Sequence, residues 1–314
     1  MESIRIPYNS DSYGKPLYAR VSWSKDSQPS PRPIVVVYHG GGLLVGSSEI
    51  IPKVQIDYLC DHGFVVVIPN YRLAPQVTAS EAFADGEEAY DWSTTTLLKI
   101  MADDYDVELD PSRVVSYGHS SGGTLAMHIG SCRPLKAVTA FYPSLFSADN
   151  TTSAHKPTSA VPFGMMPDFN PTDEDWNTIK PADHQVSEAP MARPGTIPPP
   201  RNKWQMSILK NGQWLSTVQP DGRYELIDPM TRLSAQWPPV MIVQGEIDNV
   251  PGSSRELAQR AEKEIKAAGV KEVRLEVVHG ESHMFDLPPT VGTTDLGPKW
   301  EAVVKGLEWL RSHV

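Results

Sequence analysis

Serines and glycines crowd residues 116–130, SYGHSSGGTLAMHIG, directly after a hydrophobic run. Gly118 to Gly122 matches G-x-S-x-G, the pattern of a serine nucleophile on a tight turn between a strand and a helix. Small residues suit that turn because larger side chains would collide with neighbouring elements. The turn would lift Ser120 clear of the sheet and aim the first amides of the next helix at the same point. The segment therefore predicts nucleophilic chemistry at Ser120.

Two other interpretations of glycine-rich segments compete. A phosphate-binding loop needs Lys where Thr124 stands, and a dinucleotide loop starting at Gly40 needs Gly where Val45 stands. A third interpretation is that the segment around Ser120 is only the glycine-rich start of a helix, and it stays open until partner residues are found. The partners therefore decide the interpretation.

The first partner is a second glycine run, residues 39–42, after the strand-like PIVVVY. Consecutive glycines let the backbone bend so that N–H groups point into a site. We expect the amides of Gly41, Gly42 and Ser121 to form a three-donor oxyanion hole. His39 would brace this loop by hydrogen bonding, with Gly40 as part of the support.

A serine hydroxyl needs a base, and the base needs an acid that orients it. In proteins that carry a catalytic G-x-S-x-G turn between a strand and a helix, the three residues follow along the chain in the order Ser, Asp or Glu, then His, each after a strand. Asp248 and His283 satisfy that order. Glu246 competes for the acid and His279 for the base; we favour Asp248 and His283 for their longer reach beyond their strands.

A metal site formed by the two histidines is disfavoured, since the segment is a loop with no third ligand in view and no H-E-x-x-H occurs. We expect neither a metal nor a cofactor.

Charge and hydrophobic patterning limit the kinds of partner that we expect. The formal charge of -10 disfavours nucleic acid and anionic membranes. No apolar run approaches the length of a bilayer span, and the start lacks signal-peptide features, so we expect a soluble, cytoplasmic protein without stable membrane insertion. Cys60 and Cys132 are expected to be buried free thiols.

Strand-like and helix-like segments alternate along most of the chain. Continuous apolar runs such as PIVVVYHGGG and GFVVVIPNYR read as parallel strands covered on both faces, and SIRIPY with PLYARVSW reads as an antiparallel pair. Helices are predicted at about 50–62, 80–99 and 121–131. A further helix is expected to start with a capping box of Ser253 and Glu256 and to stop at Gly269. This pattern predicts an α/β fold with a mostly parallel sheet flanked by helices.

Residues 147–236 break the alternation, so we predict a catalytic domain of residues 1–146 and 237–314 with an inserted cap or lid. A disordered linker is the alternative. Large apolar side chains argue for an ordered cover over a ligand; they are Met165, Met166, Met206, Trp176, Trp204 and Trp214.

With these motifs placed, the chain resembles the hormone-sensitive-lipase-like esterases of the α/β-hydrolase superfamily. The matching stretches are YHGGG (38–42), NYRLAP (70–75), DPSRV (110–114), GHSSGG (118–123), GEIDNVP (245–251) and SHMF (282–285). The resemblance implies Ser120 as nucleophile, Asp248 as acid, His283 as base, and Gly41, Gly42 and Ser121 as oxyanion donors.

The chain departs from the family at several positions. His119 and Ser121 stand where the G-x-S-x-G turn of the family, called the elbow below, usually has Asp and Ala. Asn70 replaces the Asp that the family usually has before YRLAP. The N-terminal cap of the family has little room before His39, so residues 147–236 are expected to supply most of the pocket roof.

The expected function is a serine hydrolase acting on a small carboxylic ester, lactone or thioester through an acyl-enzyme. One alternative is acyl transfer or cyclisation by the same three residues in a natural-product pathway. The other is a ligand-binding protein, since the gibberellin receptors resemble this family but lack the catalytic histidine.

Overall fold

The computed structural model describes residues 1–26, 30–157, 172–179, 185–191 and 197–314. Met165 and Met166, expected in the cap, lie outside the described residues, and so does the side chain of Trp176.

The centre of the molecule is one eight-stranded sheet with strand order β1-β2-β4-β3-β5-β6-β7-β8. The first two strands are antiparallel to their neighbours, and β3 to β8 run parallel. The strands are β1 (Glu2–Ser10), β2 (Pro16–Trp23), β3 (Arg32–Tyr38), β4 (Val65–Pro69), β5 (Leu109–His119), β6 (Val138–Phe141), β7 (Val240–Gly245) and β8 (Val273–Val278).

Helices follow the strands along the chain, as a parallel sheet requires. In the described ranges they are α1 (Lys53–Asp61), α2 (Ala79–Ser93), α3 (Thr96–Tyr105), α4 (Ser121–Cys132), α5 (Asp173–Ile179), α6 (Pro200–Lys210), α7 (Trp214–Val218), α8 (Arg255–Ala267) and α9 (Pro298–Arg311).

The inner strands β3, β4, β6 and β7 are buried on both faces along their whole length, which explains the continuous apolar runs. Along β3, Ile34 and Val36 pack into the core beneath α2, α4 and α8, whereas Val35 and Val37 pack into the core beneath α1 and α9. Alternate side chains of a strand point to opposite faces, so a strand covered on both sides must be apolar throughout. The predicted fold class is confirmed.

The helix predicted at 80–99 is two helices, which corrects that prediction. The break falls at Thr94 and Thr95, whose hydroxyls donate to the carbonyls of Tyr90 (3.1 Å) and Asp91 (2.6 Å). Threonine side chains compete in this way with the helical backbone, and here three threonines follow one another.

The capping box predicted at Ser253 is also wrong by one residue. Ser254 caps α8 by accepting from the N–H of Leu257 at 3.2 Å. The Ser253 hydroxyl instead donates to Asp248 Oδ2 at 2.8 Å. A motif in the sequence could not show which serine faces the helix and which faces a carboxylate.

Both cysteines are free, but only Cys60 is buried; Cys132 is partly exposed, contrary to expectation. It lies in the last turn of α4, next to the exposed segment that leads to β6. In the part of the chain described here, no helix has the length and apolar character needed to cross a bilayer. The predicted cytoplasmic location stays a prediction.

Residues 147–236 fall between β6 and β7, which are neighbours in the sheet. Their described helices are α5, α6 and α7, and Trp204 and Trp214 are both buried. Pro200 occupies the first turn of α6, where its missing N–H costs no helical hydrogen bond. These segments therefore contribute to the packed core, although sheet pairing does not involve them.

A buried ion pair secures the loop after β4. Arg72 donates to both carboxylate oxygens of Asp85 on α2, at 2.6 and 2.8 Å from its guanidinium, and its own N–H adds a third contact. Asp85 is 1 % exposed. The adjacent Tyr71 donates to the carbonyl of His39, so this ion pair stands behind the glycine loop.

We expect Asp85→Ala to lower the free energy of unfolding by about 3–5 kcal/mol, because it leaves Arg72 largely buried without its counter-ion. Asp91→Ala, on the same helix, breaks an exposed pair with Arg133 and should cost at most about 1 kcal/mol. Urea unfolding followed by circular dichroism measures both. Equal losses in the two variants would contradict the role given to Asp85.

Candidate active site

Ser120 sits on a strained turn between β5 and α4. Its backbone has φ 54° and ψ -123°, a conformation that side-chain-bearing residues rarely adopt. The turn is held by the Ser120 N–H, which donates to the Phe141 carbonyl of β6 at 2.9 Å. The G-x-S-x-G segment thus has the strand, turn and helix that the pattern requires.

Close backbone contacts explain the glycines of the turn. A Cβ atom at Gly122 would lie 2.2 Å from the Tyr38 carbonyl oxygen and 2.4 Å from that of His39. Only glycine lets the start of α4 approach the end of β3 so closely. This contact places Ser120 beside the glycine loop.

The structure brings the three predicted side chains together. His283 Nε2 lies 2.9 Å from Ser120 Oγ, and His283 Nδ1 lies 2.7 Å from Asp248 Oδ2. Asp248 follows β7 and His283 follows β8, so both arrive at the carboxyl edge of the sheet. Because a carboxylate only accepts, Nδ1 carries the proton and Nε2 is free to accept from the serine hydroxyl.

Asp248 is buried, but its carboxylate accepts several hydrogen bonds from protein groups. Its Oδ2 also accepts from Gln244 Nε2 (2.8 Å) and Ser253 Oγ (2.8 Å), and its Oδ1 accepts from the Val250 N–H (3.0 Å). Burial alone would raise the pKa of Asp248. The adjoining imidazole of His283, with its hydrogen bond and those from Val250 and Ser253, holds that pKa below its usual value. The carboxylate is therefore ionised at neutral pH.

The competing residues lie elsewhere. Glu246 Oε2 is 3.4 Å from His279 Nδ1 and accepts from the Gly280 N–H at 2.9 Å. The His279 side chain is 87 % exposed. The two competitors thus pair with each other at the surface, while Asp248 and His283 meet Ser120.

The glycine loop runs beside the serine. His39 Nδ1 donates to the Gly40 carbonyl at 2.8 Å, and its ring stacks on Tyr71 with centroids 4.2 Å apart. Burial lowers the pKa of His39 to about 4, so the imidazole is neutral at pH 7. Gly41 has φ 119°, and a Cβ there would lie 2.0 Å from the Val45 carbonyl oxygen.

The predicted oxyanion donors line one cleft with Ser120. Gly41, Gly42 and Ser121 all contribute to its wall. Among the described residues no hydrogen bond uses the N–H of Gly41 or Gly42. Ser121 begins α4, where the first N–H groups have no acceptor within the helix. The arrangement can therefore offer free donors to a developing anion.

Sequence reasoning missed a second buried cluster behind His283. Tyr142 packs on the His283 ring with centroids 4.6 Å apart and donates to Asp286 Oδ1 at 2.5 Å. His119 Nε2 lies 2.9 Å from Asp286 Oδ2. Burial opposes the charge of Asp286, but His119 and donors from Tyr142 and Gln55 lower its pKa below the usual value. The unusual His119 in the elbow was the available signal.

Two side chains of residues 197–218 were also missed. Gln205 Nε2 donates to the Gly41 carbonyl at 2.8 Å, and Trp214 Nε1 donates to the Gly42 carbonyl at 2.9 Å. No local motif marks a side chain that bonds backbone 164 residues away. Such contacts depend on tertiary packing alone.

Two clefts meet at Ser120. The larger is walled mainly by apolar side chains that include Met206, Leu209 and Val250. The smaller is walled by Ile50, Ile51 and Leu287, among others. The two clefts thus present different side chains to a molecule whose reactive atom lies at Ser120.

One group of described residues has metal-ligand types, Glu87, His128 and Cys132. Glu87 is already engaged, with His128 Nε2 at 2.8 Å and an Arg133 nitrogen at 3.1 Å. Burial and the neighbouring Glu87 raise the pKa of Cys132 to about 11, which disfavours the thiolate that binds metal. We therefore interpret the cluster as a polar network around Glu87, near the C-terminal end of α4 and away from Ser120.

Comparison with known proteins identifies the family. A family profile described as "alpha/beta hydrolase fold" matches residues 35–287, which is most of the chain. The chain belongs to this family. The resemblance stated from the sequence and the predicted fold class are thereby confirmed.

The hydrolase is similar to segments of much larger curated proteins. It is 28% identical to a non-reducing polyketide synthase of Aspergillus calidoustus over 92% of this chain and 13% of that protein. A non-reducing polyketide synthase of Penicillium brasilianum is 29% identical over 100% of this chain and 14% of its own length. The hydrolase thus spans less than one sixth of either relative.

Solved structures share the hydrolase fold over nearly the whole chain. A Staphylococcus aureus protein of unknown function has a TM-score of 0.71 at 19% identity, covering 99% of both chains. The Pyrobaculum calidifontis esterase has 0.64 at 22% identity, covering 99% of this chain and 85% of that one. Thermogutta terrifontis esterase 2, phosphoramylated by tabun, has 0.63 at 18% identity, covering 99% and 94%.

We expect Gly122→Ala to lower the melting temperature and the soluble yield of the protein, because the new methyl group would press on two backbone oxygens that cannot rotate away. Gly130→Ala, in the same helix, meets only side-chain atoms at 3.0 Å or more, and its helix propensity improves by about 1 kcal/mol. Melting temperature and soluble yield measure both. A Gly122→Ala protein as stable as Gly130→Ala would refute the close approach described for the elbow.

Proposed function

We propose that the protein is a serine hydrolase that cleaves a small carboxylic ester, lactone or thioester through an acyl-enzyme. Ser120 is the nucleophile, His283 the general base and acid, and Asp248 the group that orients the imidazole. Gly41, Gly42 and Ser121 donate the N–H groups that stabilise the oxyanion.

The contact that carries this proposal is the 2.9 Å distance between His283 Nε2 and Ser120 Oγ. A serine hydroxyl is a weak nucleophile until a base can remove its proton within hydrogen-bond reach. The ionised Asp248 behind Nδ1 keeps the accepting nitrogen toward the serine and stabilises the imidazolium that forms. The binding-protein alternative is disfavoured because this histidine is present and in contact.

The reaction follows from these positions. His283 Nε2 takes the Ser120 proton as Oγ attacks the carbonyl carbon, and the negative charge moves to the carbonyl oxygen. The N–H groups of Gly41, Gly42 and Ser121 receive that charge. The imidazolium then protonates the leaving alcohol or thiol. Water, activated by the same imidazole, releases the acid and restores the serine.

The two clefts support a substrate with substituents on both sides of the carbonyl. An acyl group and a leaving group attached to one carbonyl point away from each other, and two largely apolar clefts with different walls meet at Ser120. We propose that residues 147–236 act as the cap over this site. Met206, Leu209 and Trp214, all from that segment, wall the larger cleft.

Acyl transfer or cyclisation is the second candidate, favoured by the similarity to segments of proteins named non-reducing polyketide synthases. The same acyl-enzyme would be attacked by a hydroxyl or amine in place of water. Incubation with an aryl thioester that carries an internal hydroxyl, followed by mass spectrometry, separates the outcomes. The free acid supports hydrolysis, and a lactone supports cyclisation.

We expect Ser120→Ala to abolish turnover of p-nitrophenyl esters while the protein stays folded. Asp248→Asn should lower kcat by about 10³–10⁴, because the amide favours the wrong tautomer of His283. Esters of increasing acyl length, assayed with the wild type, would measure the size of the cleft that holds the acyl group.

Glu246→Gln is the matched control for Asp248→Asn, since it makes the same chemical change two residues away at the surface. It should retain nearly all activity. Full activity in Ser120→Ala, or equal losses in Asp248→Asn and Glu246→Gln, would refute the assignment.

A further inference from the structure

We propose that Gln205 and Trp214 are positioning residues that hold the glycine loop in the conformation that forms the oxyanion hole. The inference rests on the proposed function, in which Gly41 and Gly42 supply oxyanion donors. It assigns to residues 197–218 a part in assembling the catalytic site, in addition to covering it.

The argument starts from the geometry of a trans peptide, whose C=O and N–H point in opposite directions. The N–H of Gly41 therefore takes its direction from the Gly40 carbonyl, and the N–H of Gly42 takes its direction from the Gly41 carbonyl. A donor that binds either carbonyl fixes the N–H on the other side. His39 does this for the first peptide, with Nδ1 at 2.8 Å from the Gly40 oxygen.

Gln205 does the same for the second peptide. Its Nε2 is 2.8 Å from the Gly41 oxygen, shorter than the contacts which that oxygen accepts from the backbone N–H groups of Leu44 (3.1 Å) and Val45 (3.2 Å). The Gln205 side chain is buried, so water does not compete strongly for the bond. The side chain thus fixes the direction of the Gly42 N–H.

Trp214 holds the next peptide, which joins Gly42 to Leu43, so it fixes the far side of Gly42 and not the direction of a proposed oxyanion N–H. Its Nε1 donates to the Gly42 carbonyl at 2.9 Å. Gly42 has φ 65°, in the left-handed region. Glycine has many other conformations of similar energy there, so an external contact is needed to select one.

Arg201 extends the same contact surface. It lies one helical turn before Gln205 on α6, so the two side chains project from one face. Its guanidinium donates to the carbonyls of Leu44 and Ala74 and, at 2.9 Å, to Gln76 Oε1. Three side chains from α6 and α7 therefore donate to four backbone carbonyls around the glycine loop.

The consequence is that two peptides of the loop depend on a segment far away in the sequence. A free glycine loop would sample orientations in which the N–H groups point away from Ser120. Preorganised donors are what make an oxyanion hole effective, since they need no rearrangement during the reaction. The loss of either contact should therefore slow the chemical step more than it weakens substrate binding.

The test uses Gln205→Met and Trp214→Phe, which remove the donors and keep most of the volume. We expect kcat for a p-nitrophenyl ester to fall by about 10- to 100-fold, less than the 10²–10³ lost when an oxyanion donor itself is removed. KM should change less than kcat, although both side chains also wall the larger cleft. Hydrogen–deuterium exchange of peptides that cover residues 39–46 should become faster in both variants.

Matched controls make the same chemical changes elsewhere. Trp237→Phe removes an indole that donates to the Arg232 carbonyl at 2.9 Å, and Gln219→Met removes a buried amide that donates to Asp221 at 2.8 Å. Both controls should leave kcat and the exchange of residues 39–46 unchanged. Losses in the controls as large as in the test variants would show a merely structural role and overturn the inference.

The outcomes separate this inference from the proposed function. Ser120→Ala should lose turnover, with the hydrogen–deuterium exchange of residues 39–46 unchanged. A wild type that cleaves no ester would refute the proposed function. Exchange of residues 39–46 would still test the loop contacts in that case. Unchanged exchange in Gln205→Met and Trp214→Phe, or faster exchange with unchanged kcat, would overturn the positioning role.

Discussion

The approach of His283 Nε2 to Ser120 Oγ is the contact on which the proposed chemistry depends, and other residues fix the position of each partner. Ser120 is lifted into position by a strained turn, which is possible because Gly122 lets α4 touch the end of β3. His283 is held by Asp248, whose charge is retained in a buried place by four protein donors. Strain at the serine and buried charge at the acid are both costs, and the surrounding sheet and its donors offset them.

The proposed oxyanion hole is organised differently. Its donors are backbone amides in a run of glycines, which has little conformational preference of its own. The loop acquires one conformation through contacts from three directions: His39 within the loop, Tyr71 behind it, and Gln205 with Trp214 from the segment between β6 and β7. Ser120, the proposed nucleophile, is thus fixed by the sheet, while the proposed oxyanion donors depend on helices added to it.

Much of the fold and the site could be predicted from the sequence because the signals are local. Continuous apolar strands and G-x-S-x-G each occupy a few adjacent residues, and Asp248 and His283 each follow such a strand in the order that G-x-S-x-G proteins require. The errors arose where several residues could play one role, as with Ser253 and Ser254, or where side chains interrupt a helix, as at Thr94 and Thr95. Gln205 and Trp214 could not be predicted, because their partners are carbonyls over 160 residues away and any residue has a carbonyl.

The central claim, that Ser120 is an activated nucleophile, is tested most directly by a fluorophosphonate probe. The wild type is treated at neutral pH, digested, and the modified peptide is located by mass spectrometry. We predict one adduct, on Ser120, that forms in the wild type and is strongly slowed in His283→Ala. An adduct on another residue, or equal labelling of Ser120 in both proteins, would contradict the account.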